Sequence, residues 1–273
     1  MKKFLFYVLA VTVLIGTLSA CGSSKTSGQL SDEKLVVGVT SGPHEEIFEV
    51  IKDLAAEDGL EIEIKVFSDY IMPNTALDEG DLDVNSYQHK PFMEKFNEDH
   101  DTSLVAYATT TLSPIGVYSE DITDINDLPE GAKIGIPNDP TNGARAFIIF
   151  EEAGLIKLDE DIEKENASIL DVVENEKELE FIELEAAQIP TKLGELDLGV
   201  INGNFAIENG LDPTEDSILS ESKDTPFVNQ LVVREENSND PVLETLKELY
   251  YSEEVTNFIL EKYDGVILPS WEY

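Results

Sequence analysis

Apolar and polar positions along this chain follow two periods that take turns. Residues 35–39 form a short β-branched run, followed by the turn Thr40-Ser41-Gly42 and by Pro43, which suits a first helical turn. Ile47, Phe48, Ile51 and Leu54 then recur at helical spacing until Gly59 stops the pattern. Residues 60–66 alternate strictly between apolar and polar, which predicts a half-buried strand. Residues 80–85 read as a turn into another short strand whose last residue, Asn85, is polar.

The same order returns about a hundred residues later. A strand is expected over 133–136, the turn Pro137-Asn138-Asp139-Pro140 follows, and a helix from Asn142 to Glu152 is closed by Gly154. Residues 179–184 form a strand, and 194–202 repeat the turn, strand and asparagine of the first half. Two βαβ-type units imply two similar lobes. Right-handed crossovers would bring Thr40 to Pro43, Phe67 to Tyr70, Asn85, Pro137 to Asn142 and Asn202 to carboxyl edges, where open α/β sheets bind ligands.

Residues 104–118, with Ser113-Pro114 in their middle, and residues 226–234 are further β-rich stretches. The tail carries two helix patterns, one from Asp240 as cap with Pro241 to Tyr250, the other from Ser252 to Tyr263. If the tail packs back on the first lobe, the chain crosses between lobes twice and forms a hinged clamp. The expected organisation is lobe 1 from 33–113 with 230–273, and lobe 2 from 114–229. A single continuous domain is the alternative that pattern leaves open.

The N-terminus is of another kind. Lys2 and Lys3 precede an almost unbroken apolar stretch over 4–15, the layout of a secretory signal and too short for a comfortable membrane span. It ends in Leu18-Ser19-Ala20-Cys21, which resembles a bacterial lipobox, and Cys21 is the single cysteine of the 273 residues. A lone cysteine forms no intrachain disulfide. The expectation is a signal peptide over 1–20, an acylated Cys21, and a flexible linker to residue 32 that begins with a Gly/Ser-rich run. That anchors the body to the cell membrane on its extracytoplasmic face. An ordinary signal peptide, or a buried thiol, is the competing explanation.

Charge narrows the partners. With 57 Asp and Glu against 18 Lys and Arg, the formal charge is -39, which disfavours nucleic acid and anionic headgroups. Against that background the two arginines, Arg145 and Arg234, stand out. Arg145 falls in the first turns of a helix opening with Asn142-Gly143, where free N–H groups and a guanidinium fork converge on a spot fit for a carboxylate. It could equally pair with one of the chain's many acids. Arg234, beside Glu235 and Glu236, favours such a pairing. Asn202 and Asn229, each at the end of an expected strand, could meet both charges of an amino acid or serve turn chemistry. Phe67, Tyr70, Tyr87 and His89 gather at one sheet edge and would wall an unbranched apolar or thioether side chain.

Enzymatic signals are missing. No serine stands in a nucleophile elbow, and His44, His89 and His100 form no i, i+4 ligand pair. A surface lipoprotein capturing a metal ion with His44, His89 and carboxylates is the alternative function.

The lipobox, Gly42-Pro43-His44, the run 67–74, Gly80-Asp81-Leu82-Asp83 with Asn85, Gln88-His89, the run 142–146, Ile201-Asn202 and the run 226–229 resemble, in order and spacing, the NlpA/MetQ family of methionine-binding lipoproteins. The resemblance covers essentially the whole chain after Cys21. It implies a two-lobed periplasmic-binding-protein fold of type II, no enzymatic activity and no cofactor. It implies capture of L- or D-methionine, or of methionine-containing dipeptides, by a monomer that delivers its ligand to an ABC permease with a cytoplasmic ATPase. Carried onto these residues, it makes Arg145 the carboxylate partner, Asn202 and Asn229 the polar partners of the amino-acid head, and Phe67, Tyr70, Tyr87 and His89 the side-chain wall. Asn142 and Asn204 join the expected ligand set.

Overall fold

A computed structural model describes residues 28–272, so the expected signal, Cys21 and most of the linker lie outside the described residues. The first alternating pattern becomes β1 (Lys34–Thr40), α1 (Pro43–Glu57) and β2 (Glu61–Phe67), with β2 parallel to β1 from Lys34 opposite Glu61 to Thr40 opposite Phe67. Gly42 makes the turn at φ 79°, a left-handed conformation that glycine adopts without a Cβ penalty. Ile47, Phe48 and Ile51 face inward on α1, and burying each such side chain contributes roughly 1.5–3 kcal/mol. Next come α2 (Met72–Asp78), β3 (Val84–His89), α3 (Lys90–His100) and β4 (Leu104–Thr109).

The chain then leaves through β5 (Thr111–Leu112) and enters a second sheet as β6 (Ile115–Tyr118). There it builds β7 (Lys133–Pro137), α4 (Pro140–Glu152), the hairpin of β8 (Lys157–Leu158) and β9 (Val172–Glu174), and β10 (Glu180–Leu184). After α5 (Ile189–Lys192), β11 (Leu198–Asn202), α6 (Gly203–Glu208) and β12 (Leu219–Ser220), it returns as β13 (Asn229–Arg234). The tail forms α7 (Val242–Tyr250), α8 (Glu253–Tyr263) and β14 (Leu268–Pro269).

Strand order is β2-β1-β3-β13-β4 in one sheet and β10-β7-β11-β6-β12 in the other. Each has two parallel strands flanking a third, β1 in one and β7 in the other, and an antiparallel strand, β13 or β6, contributed by a segment that has just crossed over. This is the two-lobed α/β architecture with two crossings. The tail packs on the first sheet: Leu243, Leu246, Tyr250, Val255 and Ile259 share a core with Leu35, Val37, Ile47 and Phe48. Ile134, Ile136, Phe147, Phe150, Leu198 and Val200 form the corresponding core of the second sheet. Beside the crossings, β14 pairs with β5, and the Ser270 N–H donates to the Thr110 carbonyl. Among the described residues no helix is long and apolar enough to cross a membrane.

Two expectations need correction. Asn85 does not end its strand: β3 runs on to His89, and all six of its residues are buried. It lies between β1 and β13, so burial on both faces removes the alternation that marks a strand. Its polar residues are satisfied internally, Asn85 donating to Asn74 Oδ1 and Gln88 to Asn85 Oδ1. Asp240 is not the α7 cap. Pro241 holds that position, and the Asp240 carboxylate accepts from the Leu30 N–H instead.

Candidate functional site

Asp139 caps α4, its carboxylate accepting from the Asn142 backbone N–H at 2.9 Å and from the Asn142 side-chain amide. The amide nitrogen is thereby turned toward Asp139 and the carbonyl oxygen away from it. That oxygen accepts from three donors: Arg145 Nη1 at 3.0 Å, Asn202 Nδ2 at 2.9 Å and His89 Nε2 at 3.3 Å. One asparagine therefore ties together α4, the end of β11 and the end of β3. Asn202 has spent its amide on this bond, and its Oδ1 is buried with no hydrogen-bond partner among the described residues. Asn204, the second residue of α6, accepts from Tyr70 Oη at 2.6 Å, while its buried Nδ2 is likewise unpartnered among the described residues.

The facing wall is ordered by the other histidine. His44 Nδ1 lies 2.7 Å from Thr40 Oγ1 and its Nε2 lies 3.1 Å from Asn229 Nδ2. An amide nitrogen only donates, so Nε2 accepts, Nδ1 carries the proton, and Asn229 is held with its carbonyl oxygen away from the ring. The same reasoning fixes His89: Nδ1 accepts from the Phe92 N–H at 3.2 Å, so Nε2 carries the proton given to Asn142. Burial keeps both rings neutral, lowering His44 to about 4 and His89 to about 3, the latter with help from the Arg145 charge.

Between the walls lies a narrow cavity, with about 350 Å³ of empty space when the open solvent at its mouth is included, lined by His44, Tyr70, Tyr87, His89, Phe92, Ser113, Asn142, Arg145, Asn202, Asn204 and Asn229 among others. Tyr70 stacks on Tyr87 at 5.8 Å and on Phe205 at 4.9 Å, and Phe92 meets it edge-on at 6.0 Å. The Tyr87 hydroxyl donates to the Tyr70 carbonyl at 2.6 Å, which fixes the loop after β2.

Arg145 is 3 % exposed and fully engaged on one edge. Nε donates to Glu221 Oε1 at 2.9 Å and Nη2 to Glu221 Oε2, a bidentate pair between groups buried alike. Its face lies 4.8 Å from the centre of the Phe227 ring. Arg145 is thus paired with an acid, and it also lines the cavity. Arg234 does tie structure together, donating to the Leu77 and Leu82 carbonyls.

Of the nine residues expected in the ligand set, eight line this cavity. Phe67 does not: it ends β2 and packs with Leu77, Leu82, Met93 and Phe96 on the first sheet. Sequence reasoning missed Ser113, Gly203, Phe227 and Glu221. Phe92 was missed as well, Phe227 lay within the run 226–229, and Ser113 could have been suspected from its place at a crossing. Glu221 carried no signal among so many acids. The metal reading finds little support, because both ring nitrogens of His44 and of His89 are engaged and, among the described residues, no three His, Cys, Asp or Glu converge on one point.

Known proteins agree with this architecture. D-methionine-binding lipoprotein MetQ of Escherichia coli K12 is 37 % identical over 269 residues, 96 % of this chain and 97 % of that protein. Outer membrane lipoprotein 3 of Mannheimia haemolytica is 39 % identical over 96 % of this chain and 97 % of its own. Among solved structures, a nutrient binding protein from Burkholderia cenocepacia bound to methionine superimposes with a TM-score of 0.84 at 40 % identity, covering 86 % of this chain and 99 % of that one. The NlpA lipoprotein family model matches residues 35–271, and the chain belongs to that family.

Proposed function

We propose that this protein is a lipid-anchored solute-binding protein that closes on methionine between its two lobes and hands it to an ABC importer. The observation that carries the reading is the pairing of unspent polar atoms inside an aromatic cavity. Asn202 Oδ1 is a buried acceptor suited to an ammonium, and the Arg145 Nη1 edge and Asn204 Nδ2 are donors suited to a carboxylate. Tyr70, Tyr87, His89 and Phe92 supply apolar faces for a thioether. Relatives named for methionine binding support the choice of side chain.

On this reading the lobes are 33–113 with 230–273 and 114–229, and they move about the crossings near Thr110 and Asn229. Cys21 is the acylated tether on the extracytoplasmic face. The linker keeps the clamp near its permease at high effective concentration. The partner is a permease with its cytoplasmic ATPase, the working form is a monomer, and the work is binding and release with no chemical step. Titration calorimetry of the purified protein with L-methionine, D-methionine and a methionine dipeptide tests it. Tight binding of at least one is expected, and no heat with any of the three removes the assignment.

A further inference from the structure

Arg145 has five N–H groups, and four are committed. Glu221 takes one from Nε and one from Nη2, the Ser113 carbonyl takes another from Nη2 at 3.3 Å, and Asn142 Oδ1 takes one from Nη1. A ligand carboxylate therefore meets a single remaining N–H of a guanidinium whose charge is already compensated. Glu221 is itself fastened: its Oε2 faces the Ile115 N–H at 3.4 Å and its Oε1 the Thr225 hydroxyl at 3.4 Å. It is 9 % exposed, and it does not line the cavity.

The remaining groups around the cavity add no positive charge. His44 and His89 are neutral by burial, Tyr70 and Tyr87 are held as phenols, and Asp139 stands behind Asn142 with a carboxyl that burial shifts upward. Arg145 is the one formally charged residue of the lining among the described residues, and Glu221 cancels it. A ligand that brings a carboxylate without an ammonium would place an uncompensated negative charge beside a buried Glu221 carboxylate. A zwitterion brings none, and its ammonium satisfies Asn202 Oδ1.

We infer that Glu221 determines the charge class of the ligand: by neutralising Arg145 without touching the ligand, it makes the cleft accept amino-acid zwitterions and reject the corresponding carboxylic-acid anions. This rests on the methionine reading above and deepens it. Glu221 acts through Arg145, so it is a positioning residue, and the signature of its role is a change in discrimination.

The experiment is calorimetric titration of wild-type protein and Glu221→Gln with methionine and with its 2-hydroxy acid, in which a hydroxyl replaces the ammonium. Wild type should prefer methionine by at least about 100-fold, and Glu221→Gln should shrink that ratio by about tenfold or more, through tighter binding of the anion. A ratio that stays the same, or equal loss of both ligands, overturns the inference. Wild type also provides a test that needs no variant. At neutral pH the hydroxy acid should bind wild type far more weakly than methionine. Equally tight binding of the hydroxy acid overturns the inference even if Glu221→Gln does not fold. Wild type that binds neither compound overturns the function proposed above and this inference with it, whereas methionine binding with an unchanged ratio overturns this inference alone.

Discussion

The Tyr70 hydroxyl and Asn204 Oδ1 are 2.6 Å apart, although Tyr70 follows β2 of the first sheet and Asn204 belongs to the helix after β11 of the second. The ring of Tyr70 also stacks on Phe205 at 4.9 Å. Both contacts exist only when the two halves of the cleft meet. Tyr70 thus adds to closure as well as to the cavity wall.

Replacing Tyr70 by Phe keeps the ring and deletes the bond, leaving Asn204 Oδ1 without this donor. The net cost to the closed form is about 1–2 kcal/mol, so methionine affinity should fall roughly 5- to 30-fold while the melting temperature of the unliganded protein barely moves. Calorimetry gives the affinity, and small-angle scattering with and without methionine gives the closure. Unchanged affinity would mean that the bond contributes nothing net to the closed state.

Arg145→Lys separates charge from geometry. Lysine preserves the compensation of Glu221 but cannot reproduce a fork that reaches Glu221, Ser113 and Asn142 together. The variant should fold and bind methionine about 100-fold more weakly or worse. Arg145→Ala is a blunter test, because it strands a buried carboxylate at a cost of roughly 3–5 kcal/mol in stability. If Arg145→Lys bound methionine like wild type, the ligand carboxylate would sit elsewhere.

Acid should weaken the fold through His44. Its ring titrates near 6.5 when unfolded and near 4 in the folded protein, so between those values the unfolded chain binds more protons. Stability from this group is complete above pH 6.5 and falls as pH drops toward 4, by on the order of 3 kcal/mol in all. Urea unfolding of wild type and His44→Gln over roughly pH 4.5 to 7.5 isolates that share, since the carboxylates titrate alike in both. The variant should be less stable at neutral pH, having lost contacts to Thr40 and Asn229, yet show a shallower loss toward acid. Parallel curves would contradict a neutral, buried His44.

Legibility in the sequence followed the physics of each residue. Strands with one face toward a core, such as β2, alternate and could be read, and so could helices with glycine stops such as α1. The central strand β3 could not be read to its end: Asn85 and Gln88 are buried polar residues satisfied by each other and by Asn74, which in sequence looks like a loop. Phe67 was assigned to the cavity because it ends a strand at the correct edge, but which face an end residue points to depends on packing partners such as Leu82 and Met93. Arg145 was conspicuous as one of two arginines, whereas its partner Glu221 was one acid among 57 Asp and Glu. A pair formed across 76 positions leaves no local pattern.

Gly203 is the last test, and it asks whether the floor of the cavity tolerates a single added carbon. Its conformation does not require glycine; the space does. A Cβ there would meet Ser113 Oγ at 2.3 Å and the Pro114 carbonyl oxygen at 2.9 Å, the latter being backbone that cannot rotate away. Gly203→Ala should therefore cost about 1–3 kcal/mol of stability as the start of α6 is displaced. Asn202 and Asn204 flank the position, so the same displacement should also lower methionine affinity. Adding Ser113→Ala removes the closer clash and leaves the backbone one. The double variant should recover part of both losses, a coupling that a double-mutant cycle reads directly. Gly203→Ala with wild-type stability would show that β6 and α6 can separate freely, and would undercut the fixed placement of Asn202 on which the ligand reading depends.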